Sequence, residues 1–188
     1  MITSKKELHE FIKEDRKNNI NNCSKIYLIF EPLLAILGVV RESYYVRRYL
    51  KVLRKLEYFS NKKNKGIMYI YYMIMWKRLS HKYQIYIRPN TVGKGLHISH
   101  FNGGIQINCL QMGNYCSVTA GVVIGNKGSQ ENRAIIGNNV SFTIGSKAIG
   151  KIIIEDNVIV CPNSVVIKNV PNGAIVSGVP AQIIKIKN

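Results

Sequence analysis

Acidic residues are scarce in this chain of 188 residues: 10 Asp and Glu stand against 27 Lys and Arg, a formal net charge of +17. The imbalance is greatest in residues 1–90, where 19 basic residues face 7 acidic ones. Such a surface suits phosphate groups, anionic lipids or nucleic acids, although a Lys-rich solvated surface would look the same. No DNA- or RNA-binding motif accompanies the charge, so we expect no nucleic-acid partner.

Cysteines are also few and far apart, and no two of them form a CxxC pair. Zinc sites and disulfide frameworks usually show tighter spacing. We therefore expect reduced thiols packed in the core and no metal site. The four are Cys23, Cys109, Cys116 and Cys161.

The sequence predicts neither a signal peptide at its start nor a membrane-spanning helix. The opening stretch MITSKKELHEFIKEDRK is charged throughout, unlike a signal peptide. One apolar run is interrupted by Glu31 and Pro32, and GIMYIYYMIMW has about half the length that spans a bilayer. We expect a cytoplasmic protein, with peripheral contact between its basic N-terminal half and the inner face of the membrane as an open alternative.

Residues 1–84 have the pattern of an α-helical segment. Ser4 followed by Glu7 is a capping-box pattern that predicts a helix start. Further along, apolar residues with helical spacing alternate with Arg and Lys. They are Val46, Leu50, Leu53 and Leu56.

Residues 85–188 change to a six-residue period. Aliphatic residues followed by small or polar ones recur at this spacing, and Asn and Gly occupy the positions between them, as expected at tight corners. This repeat is typical of a parallel β-helix, in which three hexapeptides make one turn and the aliphatic residue points inward. The predicted inward residues are Val92, Ile98, Met112, Val118, Ile124, Ile136, Phe142, Ala148, Ile154, Val160 and Val166. Corners are predicted at Asn114, Asn138, Asn139, Asn157 and Asn163.

One interruption of the repeat predicts a loop. Between Ile124 and Ile136 the stretch GNKGSQENRAI is polar and glycine-rich, and it has Gln130 where an inward aliphatic residue would fall. We interpret residues 126–135 as a loop that leaves the β-helix, and loops on rigid scaffolds commonly carry function.

These repeats, the loop and the closing VPNGAIVSGVPAQII resemble the hexapeptide-repeat acyltransferases. The resemblance covers about residues 85–185 and is strongest to the serine acetyltransferases and the related O-acetyltransferases of bacterial surface polysaccharides. It implies a left-handed β-helix, against the usual right-handed crossover rule. It also implies a homotrimer or a dimer of trimers, no bound cofactor, and acetyl-CoA as co-substrate.

The resemblance assigns a catalytic histidine within GLHISHFNGG. His100 lies at that position, and a histidine that titrates near neutrality can take a proton from an acceptor hydroxyl and pass it to a thiol. His97 comes directly before the inward residue Ile98, so we expect it on a different face of the β-helix from His100. Because no Cys, Asp or Glu lies nearby in the sequence, we do not expect the two histidines to bind a metal together. We expect His97 to be structural or an acceptor contact, and His9 and His81 to be solvated.

The resemblance also implies binding residues for the donor and the acceptor. Acetyl-CoA is expected to contact Gly125, Asn126, Thr143, Ile144, Pro162, Lys168 and Lys185, with Lys187 as a further phosphate contact. The acceptor is expected to contact Ser99, Asn102 and Arg133.

Three departures from the serine acetyltransferase pattern bear on the acceptor. Ser99 replaces an acidic residue that would grip an ammonium group, and Asn132 and Arg133 replace an Arg-His pair. Within YQIYIRPN, Tyr86 or a neighbour stands where the family has an aspartate that orients the catalytic histidine, so Glu131 or a backbone carbonyl would have to substitute. Since burying unpaired charge is costly, we favour a sugar hydroxyl over L-serine as the acceptor.

A non-catalytic scaffold is the alternative from another class. The missing orienting residue and the missing second histidine favour a trimeric β-helix that has lost its activity. Absence of acetyl transfer to any acceptor would support this alternative.

Overall fold

The structure, a computed structural model, describes residues 1–20, 24–129 and 131–187. The predictions for Cys23 and Gln130 lie outside the described residues. The described chain begins with helices and continues into short strands. The helices are α1 (Lys5–Asn18), α2 (Lys25–Ile36), α3 (Glu42–Ser60) and α4 (Ile67–Tyr83).

The start of α1 is the predicted capping box. The hydroxyl of Ser4 accepts a hydrogen bond from the Glu7 amide at 3.1 Å, and the Glu7 carboxylate accepts one from the Ser4 amide at 2.9 Å. Hydrogen bonds from the backbone of Thr3 and Ser4 lower the pKa of Glu7 to about 2. Two N–H groups that lack helical partners are thereby satisfied.

Helix α3 joins the helices to the strands. Arg54 is fully buried and binds Asp15 of α1 at 2.8 Å and Glu57 at 3.0 Å. It also donates to the carbonyls of Val92 and Gly93 at 2.8 and 2.6 Å. One side chain thus connects α1, α3 and the first turn of the β-helix. The predicted apolar stripe of this helix is buried, namely Val46, Leu50, Leu53 and Leu56.

The strands form a parallel β-helix of about five turns, built from three sheets. Sheet A holds β1 (Ile85–Ile87), β3 (Ile105–Ile107), β6 (Val123–Gly125), β9 (Lys147–Ile149) and β12 (Val165–Val166). Sheet B holds β4 (Gln111–Met112), β7 (Ile135–Ile136) and β10 (Ile153–Ile154). Sheet C holds β2 (His97–Ile98), β5 (Ser117–Val118), β8 (Ser141–Phe142), β11 (Ile159–Val160), β13 (Ala174–Gly178) and β14 (Ala181–Ile186). All pairings are parallel except that of β13 with β14.

The core of the β-helix includes the predicted inward residues together with further buried residues such as Ile105, Ile107 and Val122. All of them are buried, and residues one turn apart pair in register, as Ile124 does with Ala148. The six-residue repeat therefore correctly predicts both the fold and the inward face.

The corner asparagines act in two ways. Asn139, Asn157 and Asn163 have the predicted positive φ, between 54° and 61°. Asn114 and Asn138 do not have positive φ, and their side-chain oxygens accept hydrogen bonds from backbone amides of neighbouring turns. The side-chain oxygen Oδ1 of Asn138 accepts a hydrogen bond from the backbone amide of Asn114 at 2.8 Å, which links neighbouring turns.

Two edges of the β-helix matter for the site. The first edge joins sheet C to sheet A and comprises residues 99–104, 119–122, 143–146 and 161–164. The second edge joins sheet A to sheet B, and its described residues are 108–110, 126–129, 131–134, 150–152 and 167–169.

Three details differ from the sequence predictions or add to them. The loop ends at residue 134, not 135, because Ile135 pairs with Gln111 and Ile153 in sheet B. Cys161 is only half-buried, because it follows the last inward residue of β11 and turns onto the first edge. The run broken by Glu31 and Pro32 forms α2, and no helix of the described chain is long and apolar enough to cross a membrane.

Candidate active site

His100 has a carboxylate partner from the helical segment. Its Nδ1 lies 2.9 Å from Oε2 of Glu42, and Oε1 of Glu42 accepts a hydrogen bond from the amide of Phe101 at 3.0 Å. The side chain of His100 is 69% exposed, against 26% for Glu42. With Nδ1 donating to the carboxylate, Nε2 is the nitrogen that can accept a proton from an acceptor.

Local structure positions both residues of this pair, called here the His100–Glu42 dyad. His100 follows β2 on the first edge, in a turn closed by a 3.0 Å hydrogen bond from the Gly104 amide to the Phe101 carbonyl. Gly103 and Gly104 have φ of 107° and 79°, a region that favours glycine. Glu42 is the first residue of α3, where the helix dipole stabilises a carboxylate.

Aromatic side chains lie beside the dyad. The ring of Phe101 is 5.7 Å from that of Tyr83, which lies 5.3 Å from the ring of Tyr45. Burial raises the pKa of the Tyr83 hydroxyl, so this group stays neutral at physiological pH. Phe101, Tyr83 and Tyr45 thus form an aromatic cluster between the turn that follows β2 and helices α3 and α4.

Glu42 is the carboxylate partner of His100 that sequence reasoning missed. Glu131, the suggested substitute, lies in the loop of the second edge, and Tyr86 instead shares a 3.0 Å hydrogen bond with Nδ1 of His81. Glu42 and His100 are 58 positions apart, so no local motif links them. The only available signal was an acidic residue at the start of a basic helix.

Several of the predicted site residues share the first edge with His100. Ser99 is half-buried and donates its amide to the Val118 carbonyl at 3.1 Å, while Asn102 is exposed in the turn. Thr143 uses its hydroxyl on the Val160 carbonyl at 2.6 Å. Ile144 and Pro162 are exposed on the same edge, in successive turns.

The remaining predicted residues lie elsewhere in the chain. Gly125 ends β6 where the second edge begins, and the Asn126 side chain donates to the carbonyls of Gly128 and Ser129, both at 3.0 Å. Arg133 donates to the Cys109 carbonyl at 3.3 Å, also on the second edge. The remaining lysines are exposed, Lys168 on the second edge and Lys185 and Lys187 at or beside β14. Within one chain, then, Arg133 and His100 are on different edges.

The other histidines and the thiols do not take part in the dyad. His97 Nδ1 contacts the Asn18 carbonyl at 2.7 Å, which anchors the end of α1, as expected of a structural residue. Among the described residues no group of three His, Cys, Asp or Glu side chains could hold a metal. Burial raises the pKa of Cys109 and Cys116 to about 11, so neither is a nucleophilic thiolate near neutral pH.

Comparison with known proteins finds similar sequences among the serine acetyltransferases. Serine acetyltransferases from Staphylococcus epidermidis and Synechococcus elongatus are 36% and 34% identical over 104 and 101 residues. The predicted resemblance to the serine acetyltransferases is confirmed. These alignments cover 54% and 52% of this chain but 49% and 41% of the relatives, so the chain matches about half the length of these curated proteins. No protein-family model matches.

Solved structures extend the likeness to the helices. The serine acetyltransferase of Brucella abortus superposes with a TM-score of 0.71, covering 98% of this chain and 71% of that one at 20% identity. The Neisseria gonorrhoeae serine acetyltransferase in complex with serine gives a TM-score of 0.69, with 97% and 71% coverage at 21% identity. A serine acetyltransferase in complex with CoA also gives 0.69, with 96% and 71% coverage at 20% identity. At these identities the likeness shows the fold, and the predicted left-handed β-helix behind a helical segment is confirmed.

Proposed function

We propose that the chain is an acetyl-CoA-dependent O-acetyltransferase in which His100 is the general base. The observation that carries this proposal is the His100–Glu42 dyad, which leaves Nε2 exposed on the first edge. Such a nitrogen can accept a proton from a hydroxyl as the oxygen attacks a thioester carbonyl. No bound cofactor is needed for this chemistry.

The reaction would proceed directly from donor to acceptor. Nε2 removes the acceptor proton, the acceptor oxygen bonds to the acetyl carbon, and the tetrahedral intermediate then expels the CoA sulfur. The sulfur leaves with the proton that His100 took, so the histidine returns to its neutral form. The raised pKa of Cys109 and Cys116 disfavours an acetyl-cysteine intermediate.

A homotrimer would complete the site. His100, Thr143, Ile144 and Pro162 lie on the first edge, whereas Gly125, Asn126, Lys168 and the loop with Arg133 lie on the second edge. The two groups can form one acetyl-CoA and acceptor site if the second edge comes from a neighbouring copy. Mixed trimers of inactive His100→Ala and inactive Arg133→Ala subunits should then regain activity, because some sites combine an intact first edge with an intact second edge. No activity after the two variants have exchanged subunits would contradict a shared site. A dimer of trimers would show as twice the trimer mass in sedimentation.

L-Serine is the acceptor that the named relatives favour. Glu42 supplies a carboxylate next to His100, so the serine at position 99 does not leave the site without negative charge. An ammonium group therefore has a candidate partner, which removes one objection to L-serine.

A sugar of a bacterial surface polysaccharide is the second candidate acceptor. Both carboxylate oxygens of Glu42 already accept hydrogen bonds from His100 and Phe101. A sugar hydroxyl needs no anionic partner, and the C–H face of a sugar ring could pack against the rings of Phe101 and Tyr83.

Release of CoA from acetyl-CoA tests these assignments. Purified protein would be assayed with L-serine, sugars and nucleotide sugars in parallel. Turnover with L-serine alone would reject the sugar, and turnover with sugars alone would reject L-serine. No turnover with any acceptor, in a folded protein that still binds acetyl-CoA, would favour the non-catalytic scaffold.

The location of the protein follows the same reasoning. We propose a cytoplasmic enzyme, since acetyl-CoA is the donor, and peripheral contact between the basic helical segment and the membrane. No nucleic-acid partner is proposed. Liposome binding tests the contact independently of turnover.

A further inference from the structure

Helix α2 carries an apolar face that nothing in the described chain covers. Its exposed residues recur at helical spacing and form one continuous stripe. Between positions 26 and 39 none of the exposed residues is charged. The stripe, called here the outer face of α2, consists of Ile26 (69% exposed), Ile29 (72%), Phe30 (54%), Leu33 (56%), Ile36 (83%) and Leu37 (68%).

The opposite side of α2 is anchored by polar contacts. Glu31 is buried and pairs with Arg47 of α3 through both carboxylate oxygens. The Tyr27 hydroxyl accepts a hydrogen bond from the Arg41 amide at 2.9 Å. The helix is therefore held with its polar side toward the protein, and the outer face points to solvent.

A cationic cavity lies between α1, α2 and α3. Its volume is about 320 Å³, and its lining includes four basic side chains. Both carboxylates in the lining are already paired, Glu31 with Arg47 and Asp15 with Arg54. The basic side chains are those of Arg16, Arg47, Arg48 and Lys51, of which Arg16, Arg48 and Lys51 are exposed.

We propose that the outer face of α2 and this cavity form a docking site for a bilayer that contains anionic phospholipid. An apolar helix face can lie among the outer acyl-chain carbons while nearby cations bind headgroup phosphates. The two features adjoin at α2: Glu31 on its protein-facing side forms part of the cavity wall, and the exposed side chains of Arg16, Arg48 and Lys51 line the same cavity. The inference deepens the proposed peripheral membrane contact by naming the element and the lipid chemistry.

Docking in this way would bring the dyad to the membrane surface. Glu42 begins α3 only three positions after Val39, which is exposed at the end of the apolar segment. An acceptor hydroxyl presented from the bilayer surface would then lie close to His100. This arrangement fits a membrane-borne glycan better than it fits a free amino acid.

Vesicle co-sedimentation of the full chain tests the proposal. Vesicles of phosphatidylcholine with phosphatidylglycerol should bind the protein, and pure phosphatidylcholine should bind it much more weakly. Ile29→Ser with Leu33→Ser should reduce the partition constant at least tenfold, since it removes two apolar side chains from the interface. Arg48→Gln with Lys51→Gln should reduce it on the order of thirtyfold, from about 1 kcal/mol for each cation near an anionic surface.

Matched variants separate docking from general effects. Lys77→Gln with Arg78→Gln removes the same charge from exposed positions on α4, outside the cavity, and should change binding far less. Ile183→Ser with Ile184→Ser removes two exposed isoleucines from β14 and should leave binding unchanged. Equal losses in these controls, or equal binding to both vesicle types, would overturn the proposal.

A second copy of the chain is the competing occupant of the outer face. If a second copy covers the outer face, sedimentation without vesicles should show self-association, and Ile29→Ser with Leu33→Ser should abolish that self-association. Self-association of this kind, together with no binding to vesicles, would refute lipid docking. CoA release by the same preparations keeps the two proposals distinguishable. Vesicle binding without turnover would support the docking site and contradict the acetyltransferase. Turnover without vesicle binding would support the acetyltransferase and contradict the docking site.

Discussion

Glu42→Gln is the substitution that most sharply tests the dyad. Glutamine has nearly the same shape, but it offers one acceptor oxygen where Glu42 uses two, on His100 and on Phe101. If the amide oxygen stays on the Phe101 amide, the NH₂ group faces Nδ1 of His100. The imidazole then carries its proton on Nε2, which can no longer accept one from the acceptor.

The expected loss of rate follows from the geometry. A hydrogen bond to a charged group contributes about 1.5–3 kcal/mol. Because the His100 side chain is 69% exposed, solvent screening favours the lower value, which corresponds to roughly tenfold in rate. The unfavourable tautomer adds to this, so kcat should fall between about tenfold and a hundredfold, within the range of general-base effects.

Steady-state CoA release would measure kcat and KM for acetyl-CoA separately. The KM should stay close to that of the wild type, because Glu42 does not touch the proposed donor residues. Glu10→Gln is the matched control, since Glu10 is an acidic residue on the exposed side of α1 that pairs with Lys94. An unchanged kcat in folded Glu42→Gln, or the same loss in Glu10→Gln, would refute the orienting role.

Two further predictions concern stability and thiol reactivity. Arg54→Ala should lower the free energy of unfolding, measured in urea, by about 3–5 kcal/mol, because it leaves buried Asp15 and Glu57 without their cation. A loss under about 1 kcal/mol would show that Arg54 does not hold the helices to the β-helix. Burial raises the pKa of Cys109 and Cys116 to about 11, so about 0.1% of each is thiolate at pH 8. Iodoacetamide should therefore alkylate half-buried Cys161 before either of these two. Peptide mapping by mass spectrometry measures the order, and rapid alkylation of Cys116 would contradict the burial argument.

The β-helix could be predicted from sequence because its signal repeats. Every turn needs an inward residue such as Ile124 or Val160 at a fixed spacing, so many weak local preferences add up. The corner geometry was less predictable, since Asn114 and Asn139 satisfy neighbouring backbone groups in different ways. An asparagine can adopt positive φ, accept backbone hydrogen bonds through its side chain, or do both, and composition does not decide which.

The dyad was only half predictable. His100 sits in a local motif, so the resemblance locates it, but its partner comes from a helix 58 positions earlier. The contact depends on how α3 packs on the first turn, which is decided by buried residues such as Arg54 rather than by any pattern near Glu42. The exposure of the outer face of α2 was likewise not predictable, because an apolar run looks the same in sequence whether its face is covered or exposed.

The most direct test of acetyl transfer compares wild-type protein with His100→Ala for CoA release from acetyl-CoA in the presence of L-serine or a sugar acceptor. We predict acceptor-dependent release by the wild type and a loss of at least a hundredfold in the variant, with acetyl-CoA binding retained. Acceptor-dependent release that survives in His100→Ala would contradict His100 as the base, and no release by the wild type with any acceptor would contradict acetyl transfer itself.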